Sequence, residues 1–389
     1  MKLKTLWVIL ALAPIHGSLF AQSRSDIRVP QINNTVVIDG CTNLPTPKYT
    51  CDINGLNKAI TDGAGSAGVA AVIFIPDTTL CFAGCIGGVT QHLNLINNTL
   101  TIPSNTYIVG SGQATTFLDY TGTGCAVDFP AGTTASGLIG LTVEIDAGQP
   151  SAGICIEGDA THITLANSVY DVAVFNDLGI FGYVTNQRGI FFNPTPSGSS
   201  GAAFITQNAF DNVVIHGVYD PIVSNGAFQN KFDLRIEGLG ANQTAISGCV
   251  ADDLIDAIIT DYGTTATNAV AFAPTCNNNR VNLSVNFLNA GSRMLSDTSG
   301  NNIISVLDRQ AGGVGIVGAD SDVTYCNPLA PKCTHYFRVL QQSPTTFTDL
   351  GTPANGQLLF CSDCSKTTPC ASGGTGAFAK RLNGAWDCN

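Results

Sequence analysis

Short runs in which apolar and polar residues alternate recur along the chain, at a mean interval of about 23 residues. The run at 212–217 is followed 21 residues later by the similar run at 233–238. Related runs lie at 142–146, 163–167, 256–260, 282–286 and 302–307. A short strand that repeats at this period is typical of a solenoid, because each repeat needs its neighbours to bury its apolar side. The runs have no helical periodicity, so the pattern predicts an all-β fold, a parallel β-helix.

Side chains alternate across a strand, so the aligned runs separate into an inward face and three outward files. The residues predicted to point inward are Val213, Ile215, Leu234, Ile236, Ala257, Ile259, Leu283, Val285, Ile304 and Val306. The outward files are Asn212, Asp233, Asp256 and Asn282; Val214, Arg235, Ile258 and Ser284; and His216, Glu237, Thr260 and Asn286. Neighbouring strands lie about 4.8 Å apart, so we expect Asp233 and Asp256 to be close together.

The ionisable outward residues concentrate on these successive rungs, which makes them the candidate catalytic site. Two carboxylates about 5 Å apart suit a retaining glycosidase, and a separation of about 6.5–9.5 Å suits an inverting one. Asp233 and Asp256 are the predicted pair, and crowding is expected to raise the pKa of one of them. The other predicted roles are a third acid or sugar ligand (Glu237), a further sugar ligand (Asn286) and orienting groups (Arg235 and His216).

Other uses of the same residues stay open. The carboxylates suit calcium binding, with a nearby Arg as the base of a lyase reaction. Arg235 also suits a structural ion pair with Asp233, and His216 suits a packing role. Asp and Asn are favoured at β-helix turns because their side chains bond neighbouring main chain, which fits Asp252 and Asp253.

The N-terminal part of the predicted solenoid contains a different element. Residues 52–60 place Ile53, Leu56, Asn57 and Ile60 on one helical face, with Asp52 as the N-cap. A short helix followed by a strand suits a cap, because an open solenoid end exposes core and unpaired strand edges.

A resemblance follows from the order of the motifs after this helix. They are Val72-Ile73-Phe74-Ile75-Pro76, Leu100-Thr101-Ile102-Pro103, Ile108-Val109-Gly110-Ser111-Gly112 and Thr115-Thr116. The order resembles the pectate lyase superfamily over residues 45–310, in the branch of the third pectate lyase family and the phage tailspikes. The resemblance implies a right-handed parallel β-helix and a polysaccharide substrate. The polygalacturonase set of Asn-x-Asp, Asp-Asp, Gly-His-Gly and Arg-x-Lys in order is missing, which argues against galacturonan.

The composition of the chain limits which classes of partner it can bind and which cellular compartment it suits. The 389 residues carry a net charge of -11 without a run of Lys or Arg, which argues against nucleic acid and against an acidic glycan without a bridging cation. Residues 1–21 are typical of a secretory signal peptide, and no apolar stretch is long enough to span a bilayer. The 14 Cys therefore favour disulfides over zinc, also at Cys361-x2-Cys364.

Four segments are predicted: the signal peptide (1–21), a polar N-terminal arm (22–48), the β-helix (49–310) and a small Cys- and Gly-rich C-terminal domain (311–389). Cys81-x3-Cys85, Cys326-x6-Cys333 and the last four Cys are expected to be local disulfides. Trp386 is predicted as a sugar-stacking residue, with a subunit contact or the domain core as its alternatives.

The sequence thus predicts a secreted or cell-surface protein that cleaves a polysaccharide, hydrolysis ahead of elimination because basic residues are scarce. No cofactor is expected, except calcium for a lyase. The rival hypothesis is a non-catalytic protein: a glycan-binding adhesin, a tailspike-like stalk or a surface filament, with a homotrimer formed through the C-terminal domain.

Overall fold

A computed structural model describes most of the chain. The described residues are 32–42, 46–63, 70–78, 92–146, 149–176, 186–195, 197, 204–239, 243–261, 268–273, 277–287, 293–297, 301–309, 315–317, 322–326, 333–336, 346–350, 358–367 and 369–388. The predicted signal peptide and the Cys81/Cys85 pair lie outside them.

Thirty short strands make up the described secondary structure apart from one α-helix and two 3-10 turns (Asp39–Thr42 and Phe347–Asp349). The first fifteen are β1 (Ile32–Val37), β2 (Ala70–Phe74), β3 (Leu93–Ile96), β4 (Leu100–Thr101), β5 (Thr106–Val109), β6 (Phe117–Tyr120), β7 (Cys125–Phe129), β8 (Gly137–Ile145), β9 (Ala152–Asp159), β10 (Thr164–Leu165), β11 (Ser168–Asn176), β12 (Arg188–Thr195), β13 (Ile205–Thr206), β14 (Ala209–His216) and β15 (Asp220–Phe228). The others are β16 (Lys231–Leu239), β17 (Thr244–Ala251), β18 (Leu254–Asp261), β19 (Asn268–Phe272), β20 (Arg280–Phe287), β21 (Arg293–Asp297), β22 (Ile303–Asp308), β23 (Gly315–Val317), β24 (Asp322–Cys326), β25 (Thr334–Tyr336), β26 (Leu358–Cys361), β27 (Cys364–Ser365), β28 (Ala371–Ser372), β29 (Ala377–Leu382) and β30 (Ala385–Cys388).

The strands form two long sheets whose neighbours are not consecutive in the chain. Sheet A has the order β1-β2-β5-β8-β11-β14-β16-β18-β20-β22-β24-β25, and sheet B the order β23-β21-β19-β17-β15-β12-β9-β7-β4. Pairing is parallel throughout these orders except between β24 and β25. The chain therefore alternates between the sheets and adds one strand to each per coil. This is the predicted all-β parallel β-helix.

The interior between the sheets is apolar, as the alternation predicts. All ten residues predicted to point inward are buried, and β16 alternates strictly between exposed and buried positions from Lys231 to Ile236. Phe210 and Phe232 stack on adjacent rungs of sheet A with ring centroids 5.0 Å apart, and Phe192 of sheet B meets both rings edge-on at 5.4 and 5.6 Å. Each fully buried Phe contributes roughly 1.5–3 kcal/mol relative to exposure, so this stack stabilises the centre of the solenoid.

The predicted cap helix is present as α1, which spans Ile53–Gly63 and contacts β1, β2 and β3. The Asp52 carboxylate accepts a hydrogen bond from the Gly55 main-chain N–H at 2.8 Å, so Asp52 is the N-cap as predicted. The buried face is Ile53, Leu56, Ala59 and Ile60. Asn57, predicted to share that face, is exposed instead, because the narrower stripe of apolar residues alone faces the solenoid.

One turn type recurs before the strands of sheet A. A residue with left-handed φ precedes a buried polar residue in the pairs Ala166/Asn167, Gln207/Asn208, Gln229/Asn230, Asp252/Asp253, Asn278/Asn279 and Asn301/Asn302. The six buried residues form a ladder, in which each side-chain Oδ1 accepts a hydrogen bond from the main-chain N–H of the preceding member. The ladder pairs main-chain groups that the turns would leave unsatisfied, so it stabilises the register of the coils.

One sequence-predicted rung is wrong. Residues 163–167 do not continue the sheet A series: Thr164 and Leu165 pair with β13 in the other sheet, and Ile163 is exposed. The rung of sheet A is β11, which follows directly. The alternating run there was too short to distinguish a turn strand from a rung.

The C-terminal residues form a separate apolar cluster around an antiparallel sheet of β26, β29 and β30. Disulfides Cys361–Cys364 and Cys370–Cys388 cross-link it, and Cys326–Cys333 lies before it, all as local pairs. Two further disulfides, Cys41–Cys51 and Cys125–Cys155, join neighbouring coils or turns. Trp386 is only 7% exposed and packs in the core of this cluster, as one of its sequence-predicted alternatives has it, while a role in sugar stacking stays a prediction.

Among the described residues, α1 is the only α-helix, and no helix there has the length and apolarity to cross a bilayer.

Candidate functional site

The predicted site residues lie on neighbouring rungs of sheet A, in the predicted register. Asp233 pairs with Asp256 and Asp256 with Asn282, while Arg235 pairs with Ile258. His216, Glu237, Thr260 and Asn286 also follow one another across four rungs. The files are therefore confirmed, except at Asn212.

A β-bulge in β14 changes the first file. The register with β16 shifts between Phe210 and Val213, so Asp211 and Asn212 together oppose Asp233. Asn212 takes a left-handed φ of 54° and bonds back to Asp171 at 2.8 Å. The Asp211 carboxyl is close enough to the Asp233 carboxyl to raise its pKa. The sequence analysis missed Asp211, and the only signal for it was an Asx pair at the start of the rung.

Asp233 and Asp256 line a groove of about 590 Å³ on the outer face of sheet A. Ile258, Asn282, Ser284, Ser305, Leu307 and Thr324 are further lining residues. Ile258 and Leu307 are 45% and 43% exposed, so the groove combines two carboxyls, small polar groups and solvent-exposed apolar surface. Concave sites with a few convergent polar groups on an apolar wall are typical of carbohydrate and small-molecule binding.

The groove distinguishes the two carboxyls electrostatically. Partial burial is the largest influence that raises the pKa of Asp233 above its usual value of 3.8, and the Asp211 and Asp256 carboxylates raise it further. Lys231, whose Nζ lies 3.7 Å from an Asp211 oxygen, acts in the opposite direction. Asp256 is oriented by Asn282, whose Nδ2 donates to its Oδ1 at 2.7 Å. The pair thus contains one carboxyl whose pKa lies above its usual value and one carboxyl that is held in place by an amide.

The other predicted catalytic residues form a second cluster farther along the same strands. The Glu237 carboxylate contacts Arg235 Nε through one oxygen and His216 Nδ1 through the other, the latter at 3.2 Å. The Phe175 ring meets His216 edge-on at 5.4 Å. Glu237 lies four residues after Asp233, about 13 Å along an extended strand, so this cluster is not beside the groove pair. Asn286 lies on the Glu237 file, two rungs away.

A similar cluster that the sequence analysis missed lies closer to α1. His92 Nδ1 is 2.9 Å from the Glu144 carboxylate, and the His92 ring stacks on Phe117 at 4.7 Å. The hydrogen bond to Glu144 raises the pKa of His92 above its usual value of 6.5. Glu144 belonged to a recognised rung, but irregular loop lengths between the rungs hid its alignment with His216.

The donor atoms for a metal ion are limited in the described part of the chain. One group of three close donors exists there, Cys361, Asp363 and Cys364, and its two sulfurs are joined in a disulfide. A disulfide lacks the thiolates that zinc binds, so this group does not fit zinc. Calcium in the groove stays a prediction, because Asp233 and Asp256 supply carboxyl oxygens of the kind that calcium binds.

The fold and the groove define a class: a parallel β-helix protein with a carboxyl pair on one outer face. No protein family matches the chain, and no curated protein matches it. Its structure is similar to ORF18 of Geobacillus virus E2, at 11% identity and a TM-score of 0.39 over 89% of this chain and 68% of that one. It is also similar to the A-module of the mannuronan C-5 epimerase AlgE4 of Azotobacter vinelandii, at 10% identity and a TM-score of 0.25 over 70% of this chain and 93% of that one.

Proposed function

We propose that the protein hydrolyses a polysaccharide in the groove of sheet A, with Asp233 and Asp256 as its catalytic carboxyls. The observation that carries the proposal is their in-register pairing on adjacent rungs, with Asp233 shifted toward its protonated form. Adjacent strands lie about 4.8 Å apart, which is near the separation of about 5–5.5 Å used by retaining glycosidases.

The roles follow from the two environments. Protonated Asp233 gives its proton to the glycosidic oxygen as the bond to the leaving sugar breaks. Asp256, oriented by Asn282, attacks the anomeric carbon and forms a glycosyl ester. The Asp233 carboxylate then takes a proton from water as that water cleaves the ester, which restores both groups.

The second cluster is assigned to positioning in this proposal. One Glu237 oxygen contacts Arg235 and the other contacts His216. Because both oxygens are occupied, this supports a role for Glu237 in holding these two side chains in place, and not a role as a third catalytic acid. Asn286 remains a proposed sugar ligand. Elimination is the less favoured reaction, because it requires a uronic acid substrate, and the Asp211 and Asp256 carboxylates repel an acidic glycan around the groove.

Membership of the pectate lyase superfamily, export through a signal peptide and an extracellular location belong to the same proposal. The disulfides support the oxidising compartment that it requires. The domain limits are also proposed on the sequence analysis alone, although β1 (Ile32–Val37) and β24 (Asp322–Cys326) join sheet A outside the limits 49–310. The homotrimer through the C-terminal residues is likewise proposed on the sequence alone.

The proposal is tested with xylan, galactan, arabinan, glucomannan and polygalacturonate as substrates. Release of reducing ends measures hydrolysis, and ultraviolet absorbance of unsaturated products measures elimination. Asp233→Asn and Asp256→Asn are expected to abolish reducing-end release, while Asp252→Asn, which removes the same charge at an exposed turn, keeps it. Wild-type rates in both groove variants exclude these residues as the catalytic pair. Binding without either product favours the rival adhesin or stalk function.

A further inference from the structure

The two histidine clusters belong to one continuous line of outward side chains. Strand pairing places Asn94, Asp119, Glu144, Phe175, His216, Glu237, Thr260 and Asn286 on successive rungs of sheet A. We name this line the outward track. None of its members is buried. Seven rung spacings of about 4.8 Å give the track a length of about 34 Å along the solenoid axis.

The same chemical unit occurs twice on the track. In the first station, Glu144 pairs with His92, and that imidazole stacks flat on Phe117 with the rings 13° apart. In the second station, Glu237 pairs with His216, whose imidazole meets Phe175 edge-on at 65°. The imidazoles and carboxylates keep 16–25% of their side-chain surface exposed. Each station therefore offers an apolar ring beside polar groups held in fixed orientation.

The distance between the two stations indicates what shape of ligand could contact both of them. Glu144 and Glu237 are three rungs apart, about 14 Å, along a straight axis. A rigid, evenly spaced surface of this kind is complementary to a linear, repeating molecule, as extended solenoid surfaces commonly are. Aromatic rings next to hydrogen-bonding groups suit the mixed apolar and hydroxyl faces of sugars.

The charges around the track further limit the class of ligand that it can bind. Glu144 and Glu237 are balanced by histidine and arginine partners, while Asp119 adds a carboxylate near His92. The chain as a whole carries a net charge of -11. A polyanion is therefore repelled by the surroundings of the track, and an uncharged chain is not.

We propose that the outward track is a second binding surface, which holds an extended uncharged polysaccharide along the solenoid axis at the Phe117–His92–Glu144 and Phe175–His216–Glu237 stations. The ligand class rests on the proposed function, but the track is separate from the groove. A chain held at both stations is bound more tightly than a short oligosaccharide that reaches only one, because the second contact is intramolecular.

The test is affinity electrophoresis of the full chain in gels that contain xylan, galactan, arabinan or glucomannan. The variants are Phe117→Ala, Phe175→Ala and Glu144→Gln, the last of which keeps the side-chain size and removes the ion pair. Phe191→Ala is the matched control, since Phe191 is a partly exposed ring on sheet B that stacks on Arg188. Circular dichroism melting of each variant verifies folding.

We expect at least one polymer to retard the wild type and the Phe191 variant equally. Each station variant should lose roughly tenfold in affinity for that polymer, the equivalent of about 1.4 kcal/mol, and keep the wild-type affinity for its disaccharide. The proposal that the track binds a polysaccharide is overturned if all station variants keep the wild-type affinity. It is also overturned if none of the four polymers retards the wild type.

The outcomes separate the two proposals. If the wild type releases reducing ends and the station variants bind the polymer normally, the track proposal is wrong and the groove proposal stands. If the station variants lose binding and the wild type releases no reducing ends, the hydrolase proposal is wrong and the track proposal stands.

Discussion

The Asn230 main-chain N–H donates its hydrogen bond to Oδ1 of Asp253, a carboxyl that occupies a position filled by asparagine on the neighbouring coils. Asp253 is 2% exposed, and its second oxygen has no hydrogen-bond partner among the described residues. An asparagine there would place an NH₂ group at that oxygen, as Asn279 does when its Nδ2 donates to Asn302 at 3.0 Å. A protonated carboxyl supplies the same kind of donor, and an ionised one does not.

The first prediction concerns the stability of this position against pH. Burial is the main cause that raises the pKa of Asp253 from 3.8 to about 8, with a further increase from Asp252. Between these two values the unfolded chain has lost the proton and the folded chain retains it. The contribution of Asp253 to the free energy of unfolding therefore falls as pH rises from about 4 to about 8 and levels off above that, with a total loss on the order of 5 kcal/mol.

Asp253→Asn should remove this loss. We expect the variant to be more stable than the wild type at pH 9, by several kcal/mol, and the difference to shrink toward pH 4. Urea unfolding at a series of pH values measures it, with Asp252→Asn as the exposed neighbour that removes an equal charge. A difference between Asp253→Asn and wild type that stays constant across this range contradicts the prediction.

The ladder also shows how far the sequence allowed prediction. Asp252 and Asp253 were recognised as turn residues of the kind that bond neighbouring main chain, and the Asp253 carboxyl does accept the Asn230 main-chain N–H. The burial of Asp253 was not predictable, because it depends on the asparagines of other coils, at Asn230 and Asn279, lying directly above and below. A repeat predicts that strands stack, but the environment of one side chain depends on the exact register of both neighbours.

The candidate site illustrates the same limit. Strict alternation around Leu234 and Ile236 specified which face is inward, so the pairing of Asp233 with Asp256 could be predicted. The bulge that brings Asp211 to Asp233 could not, because it arises from a left-handed φ at Asn212. Glu144 and His216 lie two rungs apart, yet the loops between them differ in length, so a regular period did not align them.

The second prediction is a pH profile of activity. Hydrolysis requires protonated Asp233, so the rate should fall as pH rises through the pKa of Asp233, which lies above its usual value. Lys231 lowers that pKa, so Lys231→Met should move the fall in activity to higher pH. Initial rates of reducing-end release across pH measure the shift. Lys48→Met, which removes a charge beside α1, is the control, and an equal profile in wild type and Lys231→Met counts against Asp233 as the acid.

The third prediction separates positioning from binding in the groove. Asn282→Ala removes the amide that holds Asp256 Oδ1 at 2.7 Å, so we expect kcat to fall by about tenfold with little change in KM, equivalent to about 1.4 kcal/mol in the barrier. Asn282→Gln keeps an amide but displaces it, so it should recover only part of the rate. Steady-state kinetics on the cleaved polysaccharide test this, and a change confined to KM would assign Asn282 to substrate binding instead.

The fourth prediction uses two glycines that share a left-handed φ and differ in the space around them. Gly248 has a φ of 100°, and an added Cβ would lie 2.1 Å from the Ser224 carbonyl oxygen on the paired strand. Gly384 has a φ of 78°, and apart from its own chain neighbours no heavy atom of the described residues lies within 4 Å of its added Cβ. An L-residue in the left-handed region costs roughly 1–2 kcal/mol by itself. Gly384→Ala should therefore lower the free energy of unfolding by about that amount, whereas Gly248→Ala must also separate β15 from β17 and should cost clearly more. Urea midpoints of the two variants measure the difference, and equal midpoints would mean that the sheet moves aside at Gly248 without cost.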